Sequence, residues 1–184
     1  PEIDTGVHTL QGLEVAAELS HDTTVRFAAL VHDVGKGLTP RDEWPRHIGH
    51  EEAGARLIER MAERLRLPNE HRELGVMVAR HHARVHRVAE QRPGTILDLL
   101  ELTDAFRRSE RFERFLLACE ADARGRGPEL RALPYPQAAQ LRAARTAAAS
   151  ARLPPEVLER DKGPVIAERL RAARIDAIRS LNQA

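Results

Sequence analysis

With 184 residues the chain has room for one compact domain and a small appendage, and a 3% aromatic content leaves its core to Leu, Ala, Val and Ile, which suits helices over sheets. A formal net charge of +1 does not call for a nucleic-acid partner, although a local basic patch could still bind one. The single Cys119 excludes an internal disulfide and a multi-cysteine zinc site, and no stretch approaches the roughly 20 apolar residues of a membrane helix, so a cytoplasmic location without membrane contact is expected.

Taken in order, Pro1 to Thr5 read as a lead-in loop, with Asp4 or Thr5 capping a helix over about 5–19 whose stripe is Val7, Leu10, Leu13, Ala16 and Ala17. A second helix starts near Asp22, buries Val25, Ala28, Ala29 and Val31, and ends about Val34 at Gly35. A loop with Pro40, Trp44 and Pro45 leads to a third helix over about 49–65. Pro68 and Pro93 open a fourth and a fifth, the fourth reaching His82 or beyond. A sixth covers about 110–123 and stops in Arg124-Gly125-Arg126-Gly127-Pro128. Pro134 and Pro136 restart the chain into a helix ending near Arg152, Pro154-Pro155 begin one short turn, and Gly163-Pro164 begin a last helix to about Leu181. With no convincing strand or repeat, the fold expected is all-α.

Chemistry concentrates at Val31-His32-Asp33-Val34-Gly35-Lys36, where an apolar helix runs into an imidazole and a carboxylate, both good ligands for a divalent cation. Side chains of adjacent helical residues point about 100° apart, so His32 and Asp33 can share a cation only at a cleft against neighbouring helices. His8 from the first helix and Asp104 from the end of the fifth are the residues expected to close that cleft. His8 alone reads more simply as a surface or half-buried histidine. Asp104, beside an apolar helix, needs a partner or a metal. Two imidazoles and two carboxylates suit Mn²⁺, Fe²⁺, Co²⁺, Ni²⁺ or Zn²⁺.

His8, His32-Asp33 and Asp104 in that order resemble the H…HD…D signature of the HD-domain phosphohydrolases. The resemblance is closer than superfamily level. Glu2 to Leu10, His32 to Pro40, Trp44-Pro45-Arg46-His47 with Gly49-His50, Arg64 to Glu70, and Glu120 to Arg126 are similar to the C-terminal HD domain of bacterial CCA-adding tRNA nucleotidyltransferases. Nothing in the chain resembles the nucleotidyltransferase head of that family, so the sequence is expected to be its HD domain alone. The organisation expected is an HD core over 1–126, a helical bundle, with additional C-terminal helices over 127–184 packed on the same domain.

The resemblance implies metal-dependent phosphohydrolysis of nucleotide 2′-phosphates and 2′,3′-cyclic phosphates, together with general phosphatase activity. It implies support from Ni²⁺ or a similar divalent metal (Mn²⁺, Co²⁺, Mg²⁺ or Zn²⁺), and tRNA as a partner through the longer parent. His32, Asp33 and Lys36 are the expected catalytic residues, and His8, His32, Asp33 and Asp104 the metal ligands. Lys36 reads equally as a phosphate contact or as a partner of Asp33. Arg124 and Arg126 read equally as phosphate clamps or as the closure of a helix C-terminus. His50, His81 and His82 are candidates for a second cation. A scaffold domain that assists tRNA docking or forms a homodimer, with a vestigial site, is the alternative reading.

Overall fold

The structure, a computed structural model, describes residues 4–181; most of the expected lead-in loop, and the start of the Glu2–Leu10 segment, lie outside them. The helices are α1 (Thr5–Leu19), α2 (Thr23–Val31), α3 (His50–Leu65), α4 (Asn69–His86), α5 (Pro93–Leu102), α6 (Ser109–Arg124), α7 (Pro128–Arg131), α8 (Pro136–Ser150), α9 (Pro155–Arg160) and α10 (Pro164–Ser180). There is no strand among the described residues, so the fold is all-α. No helix among them is long and apolar enough to cross a membrane.

Two compact units make up the chain. The first takes the described residues up to His86 and then Glu110–Ala138; the second takes Arg87–Ser109 and the described residues from Ala139 onward. This division does not fall at the expected 126/127 boundary, because the segment around α5 leaves the first unit and α6 returns to it.

Helix starts in the first unit follow from local chemistry. Asp4 caps α1 by accepting from the Gly6 and Val7 amides, and Asp22 caps α2 by accepting from Thr24 N. Val31 of α2, Ile58 of α3 and Ala79 of α4 form a core that Phe27, Val34 and Met61 extend, while Phe112, Phe115 and Leu116 bury the inner face of α6. Full burial of a Val, Ile, Leu or Phe side chain such as Val31, Ile58, Leu116 or Phe112 is worth about 1.5–3 kcal/mol.

The second helix stops earlier than its pattern suggested. It ends at Val31, and Asp33 takes φ −108°, ψ 10°, in the sparsely allowed bridge region, before a 3-10 turn over Val34–Leu38. Gly35 in that turn lies against the first turn of α3, where a Cβ would stand 1.9 Å from the His50 carbonyl oxygen and 2.6 Å from Gly54 N. That approach requires glycine, and it draws the residues after α2 onto the N-terminus of α3.

In the second unit α5 and α10 pack together. Arg171 bonds Asp98 at 2.6 Å and Glu101 at 2.9 Å, and Arg174 lies 4.7 Å above the Phe106 ring.

Candidate metal centre

Histidines from three helices and the segments between them present the same ring edge to one another. Nδ1 lies against a backbone carbonyl in four rings: His8 to Gly125 O (3.2 Å), His32 to Ala29 O (2.8 Å), His50 to His47 O (2.7 Å) and His82 to Val78 O (2.9 Å). A carbonyl only accepts, so each Nδ1 carries the proton and donates. In the neutral rings every Nε2 is left with a lone pair, the tautomer and orientation a metal-ligating histidine requires.

Those Nε2 atoms converge on two buried carboxylates. His8 Nε2 is 3.0 Å from Asp122 Oδ1 and 3.3 Å from His32 Nε2. His32 Nε2 is 3.2 Å from Asp33 Oδ2 and 3.4 Å from Asp122 Oδ1. His50 and His82 approach the other Asp33 oxygen, at 3.5 and 3.6 Å from Oδ1. Asp33 leaves the helical conformation after His32, so its carboxylate folds back beside the imidazole instead of pointing away from it.

Electrostatics at this cluster call for a cation. Burial lowers the His32 pKa, but the ionised Asp122 and then Asp33 outweigh it and raise the value to about 10. Burial raises both carboxylates, yet they are held below the usual range, Asp33 mainly by His32 and His82, and Asp122 by His32, His8 and His86. His82 is driven down to about 4, first by burial and then by the charge on His32. Two Nε2 lone pairs 3.3 Å apart cannot face each other without a proton or a cation between them. Lys36 Nζ stands 2.8 Å from Asp33 Oδ2 and offsets part of the charge gathered there.

The donor set therefore fits a divalent cation. Three overlapping triads have ligand atoms within 4.8 Å of one another: His8/His32/Asp33, His32/His82/Asp122 and Asp33/His50/His82. Imidazole and carboxylate without thiolate match a catalytic first-row metal, not a cysteine-type structural site.

The expected fourth ligand, Asp104, is corrected. It follows α5, belongs to the second unit, has φ +52°, and bonds Arg107 at 3.0 and 3.1 Å, with Arg108 at 3.6 Å. Its carboxylate is neutralised by arginines of its own turn. The acid that joins His8 and His32 is Asp122 of α6. The sequence carried a signal for it: Phe115, Cys119 and Asp122 share one helical face, a single carboxylate in an otherwise apolar stripe. His86, at the end of α4, also reaches this acid, with Nε2 2.6 Å from Asp122 Oδ2.

Other expected residues divide. Lys36 is buried against Asp33. Arg126 reaches Asp122 Oδ1 at 3.2 Å from an open position. Arg124 closes α6 instead, bonding Glu120 at 2.8 Å and the Arg131 carbonyl at 2.9 Å. His50 and His82 face Asp33, whereas His81 is outside every triad found among the described residues. Burial and then Arg84 and Arg80 hold the His81 pKa down to about 4.

Above the cluster is a cavity of about 500 Å³, a suitable size for a nucleotide-sized ligand. Among its lining residues are His8, Lys36, Arg46, His50, His82 and Arg126, a cationic wall over a floor of metal-type ligands.

This architecture and ligand set define the class. The HD domain model matches residues 5–123, and the chain belongs to the HD domain family, a family of metal-dependent phosphohydrolases. It is 59% identical over 180 residues to the multifunctional CCA protein of Nitrosococcus oceani, covering 97% of this chain and 44% of that protein. It is 54% identical to the multifunctional CCA protein of Thioalkalivibrio sulfidiphilus, over 98% of this chain and 44% of the relative, and 48% identical to that of Pseudomonas fluorescens, over 100% and 44%. The chain thus spans less than half the length of the curated relatives it matches. No solved structure matches it.

Proposed function

We propose that this chain is a metal-dependent phosphohydrolase acting on nucleotide 2′-phosphates and 2′,3′-cyclic phosphates, and that it serves as the HD domain of a longer CCA-adding protein whose partner is tRNA. The observation that carries the reading is the convergence of His8, His32, Asp33 and Asp122 at the floor of a cationic cavity of about 500 Å³. Those four residues would hold the cation, with Ni²⁺, Mn²⁺, Co²⁺, Mg²⁺ and Zn²⁺ as the candidates. When bound, the metal supplies Lewis acidity toward a phosphoryl oxygen and a nucleophile near neutral pH.

The remaining roles belong to the chain's own groups. Lys36 exchanges Asp33 for an incoming phosphate oxygen, and Arg126 meets the same phosphate from the open side of the cavity. His50 and His82 stand against the other Asp33 oxygen, where a second cation would be held.

The test is hydrolysis of a chromogenic phosphomonoester and of 2′,3′-cyclic AMP by chelator-treated protein resupplied with each metal in turn. Activity restored by metal and abolished by Asp33→Ala is expected. Hydrolysis that survives Asp33→Ala, or is indifferent to metal, would remove the assignment.

A further inference from the structure

His86 is the histidine of this cluster whose Nδ1 faces a side chain, the Tyr135 hydroxyl at 2.9 Å, instead of a backbone carbonyl. Its Nε2 lies 2.6 Å from Asp122 Oδ2, the oxygen opposite the one that faces His8 and His32. Asp122 has no exposed surface and lies on α6; His86 closes α4, and Tyr135 precedes α8. Three separate segments are thus linked in a line that ends on a metal-type ligand.

The direction of that line follows from the groups. Asp122 is ionised and only accepts, so His86 Nε2 carries a proton. In the neutral ring Nδ1 is then the acceptor, and the Tyr135 hydroxyl donates to it. Asp122 thus selects the tautomer, and the Tyr135 hydroxyl anchors the opposite edge of the ring; without it Nδ1 would lose its donor and the ring would be held from one side only.

We propose that Tyr135 and His86 form a positioning relay for Asp122. Tyr135 anchors the His86 ring through Nδ1, and His86 holds Oδ2 so that Oδ1 stays directed at His8 and His32. His86 is a positioning residue here, acting on the metal through Asp122. Partners of this kind, one bond beyond the ligands, change metal affinity by about 10–100-fold. The inference rests on the metal-site reading given above.

Two measurements test it. The first is ¹⁵N NMR of the histidine rings in metal-free protein, where His86 should show an unprotonated Nδ1 and a protonated Nε2. Tyr135→Phe, which removes one oxygen, should keep that tautomer and shift the Nδ1 resonance toward that of an imidazole nitrogen without a hydrogen bond. The second is calorimetric titration with Ni²⁺ or Mn²⁺. Tyr135→Phe and His86→Ala should weaken the first cation, His86→Ala by about 10–100-fold, with stoichiometry unchanged. His86→Gln, whose amide can both donate to Asp122 and accept from Tyr135, should recover most of the loss. A stoichiometry that falls by one in His86→Ala would make His86 a ligand and overturn the relay. An unmoved Nδ1 resonance and an unmoved affinity in Tyr135→Phe would overturn it as well. Wild-type protein that takes up no cation would overturn the metal reading itself, a result told apart from failure of the relay by the wild-type titration alone.

Discussion

Gly12 and Gly125 meet backbone to backbone: a methyl group on Gly125 would stand 2.5 Å from Gly12 Cα and 2.6 Å from Gly12 N. This contact sets α1 against the end of α6, so that the Gly125 carbonyl receives His8 Nδ1 while Asp122 receives His8 Nε2. Neither partner can move away without withdrawing His8 from the cluster. Gly125→Ala is therefore expected to cost about 1–3 kcal/mol through overpacking and to weaken metal binding as well. Urea denaturation with a parallel metal titration checks both, and an unchanged variant would show the contact to be slack.

Exchange of the two candidate aspartates separates the expected site from the one assembled. Asp122→Asn should lose metal retention and activity, whereas Asp104→Asn should leave both within about twofold, since a surface change of that kind is worth at most about 0.5 kcal/mol. Metal content of each variant, purified without chelator, is the measurement. Loss of metal in the Asp104 variant would reinstate the residue.

Lys36 should act on substrate rather than on metal. A charge-assisted hydrogen bond to phosphate is worth about 1.5–3 kcal/mol, so Lys36→Met should lower kcat/KM by about 10–150-fold while metal occupancy stays full. Steady-state kinetics on 2′,3′-cyclic AMP beside metal analysis would show it; an equal loss of metal would assign Lys36 to shaping Asp33 alone.

Acid–base linkage at His32 gives two signed expectations. Its folded pKa, about 10, lies above the unfolded value near 6.5, so the stabilisation is complete below about pH 6.5 and is lost as pH rises toward about 10. Metal-free protein should melt at progressively lower temperature across that window. Metal must displace the same proton, so affinity should keep rising from about pH 7 to about pH 9, with about one proton released per cation. Calorimetry in buffers of different ionisation enthalpy counts the proton. Affinity that levels off near pH 6.5 would mean His32 is neutral before metal arrives.

His81 and His82, adjacent in sequence, should behave differently. His82→Ala should remove any second cation held with His50 and Asp33, and His81→Ala should leave metal stoichiometry as it is. Equal effects would contradict the placement of the two rings.

The helices were largely open to reading from local chemistry alone. Aspartate caps at Asp4 and Asp22 and prolines at Pro93, Pro136, Pro155 and Pro164 act within a turn of where they stand, and the elements begin there. The short α7 escaped notice because four residues carry no periodicity. The pairing of His8 with His32-Asp33 was accessible through the resemblance of their spacing to a known signature. Local patterning left two distant acids to complete the set: Asp104 just after the apolar α5, and Asp122 on the apolar face of α6, whose place in that stripe was a signal but not a proof of contact with His8.

Only the tertiary structure distinguished them. The chain leaves the first unit after His86 and returns at Glu110, which carries Asp104 into a turn neutralised by Arg107 and Arg108 and brings α6 back beneath α1. Asp122 then arrives at His8 through a glycine-to-glycine contact that no property of either helix alone specifies. The sequence by itself determined an all-α chain with an HD pair at a helix end, because caps, prolines and apolar periodicity act locally. The membership of the metal centre was decided by packing between segments far apart in the chain, where fit between backbones rather than residue type selects the ligand.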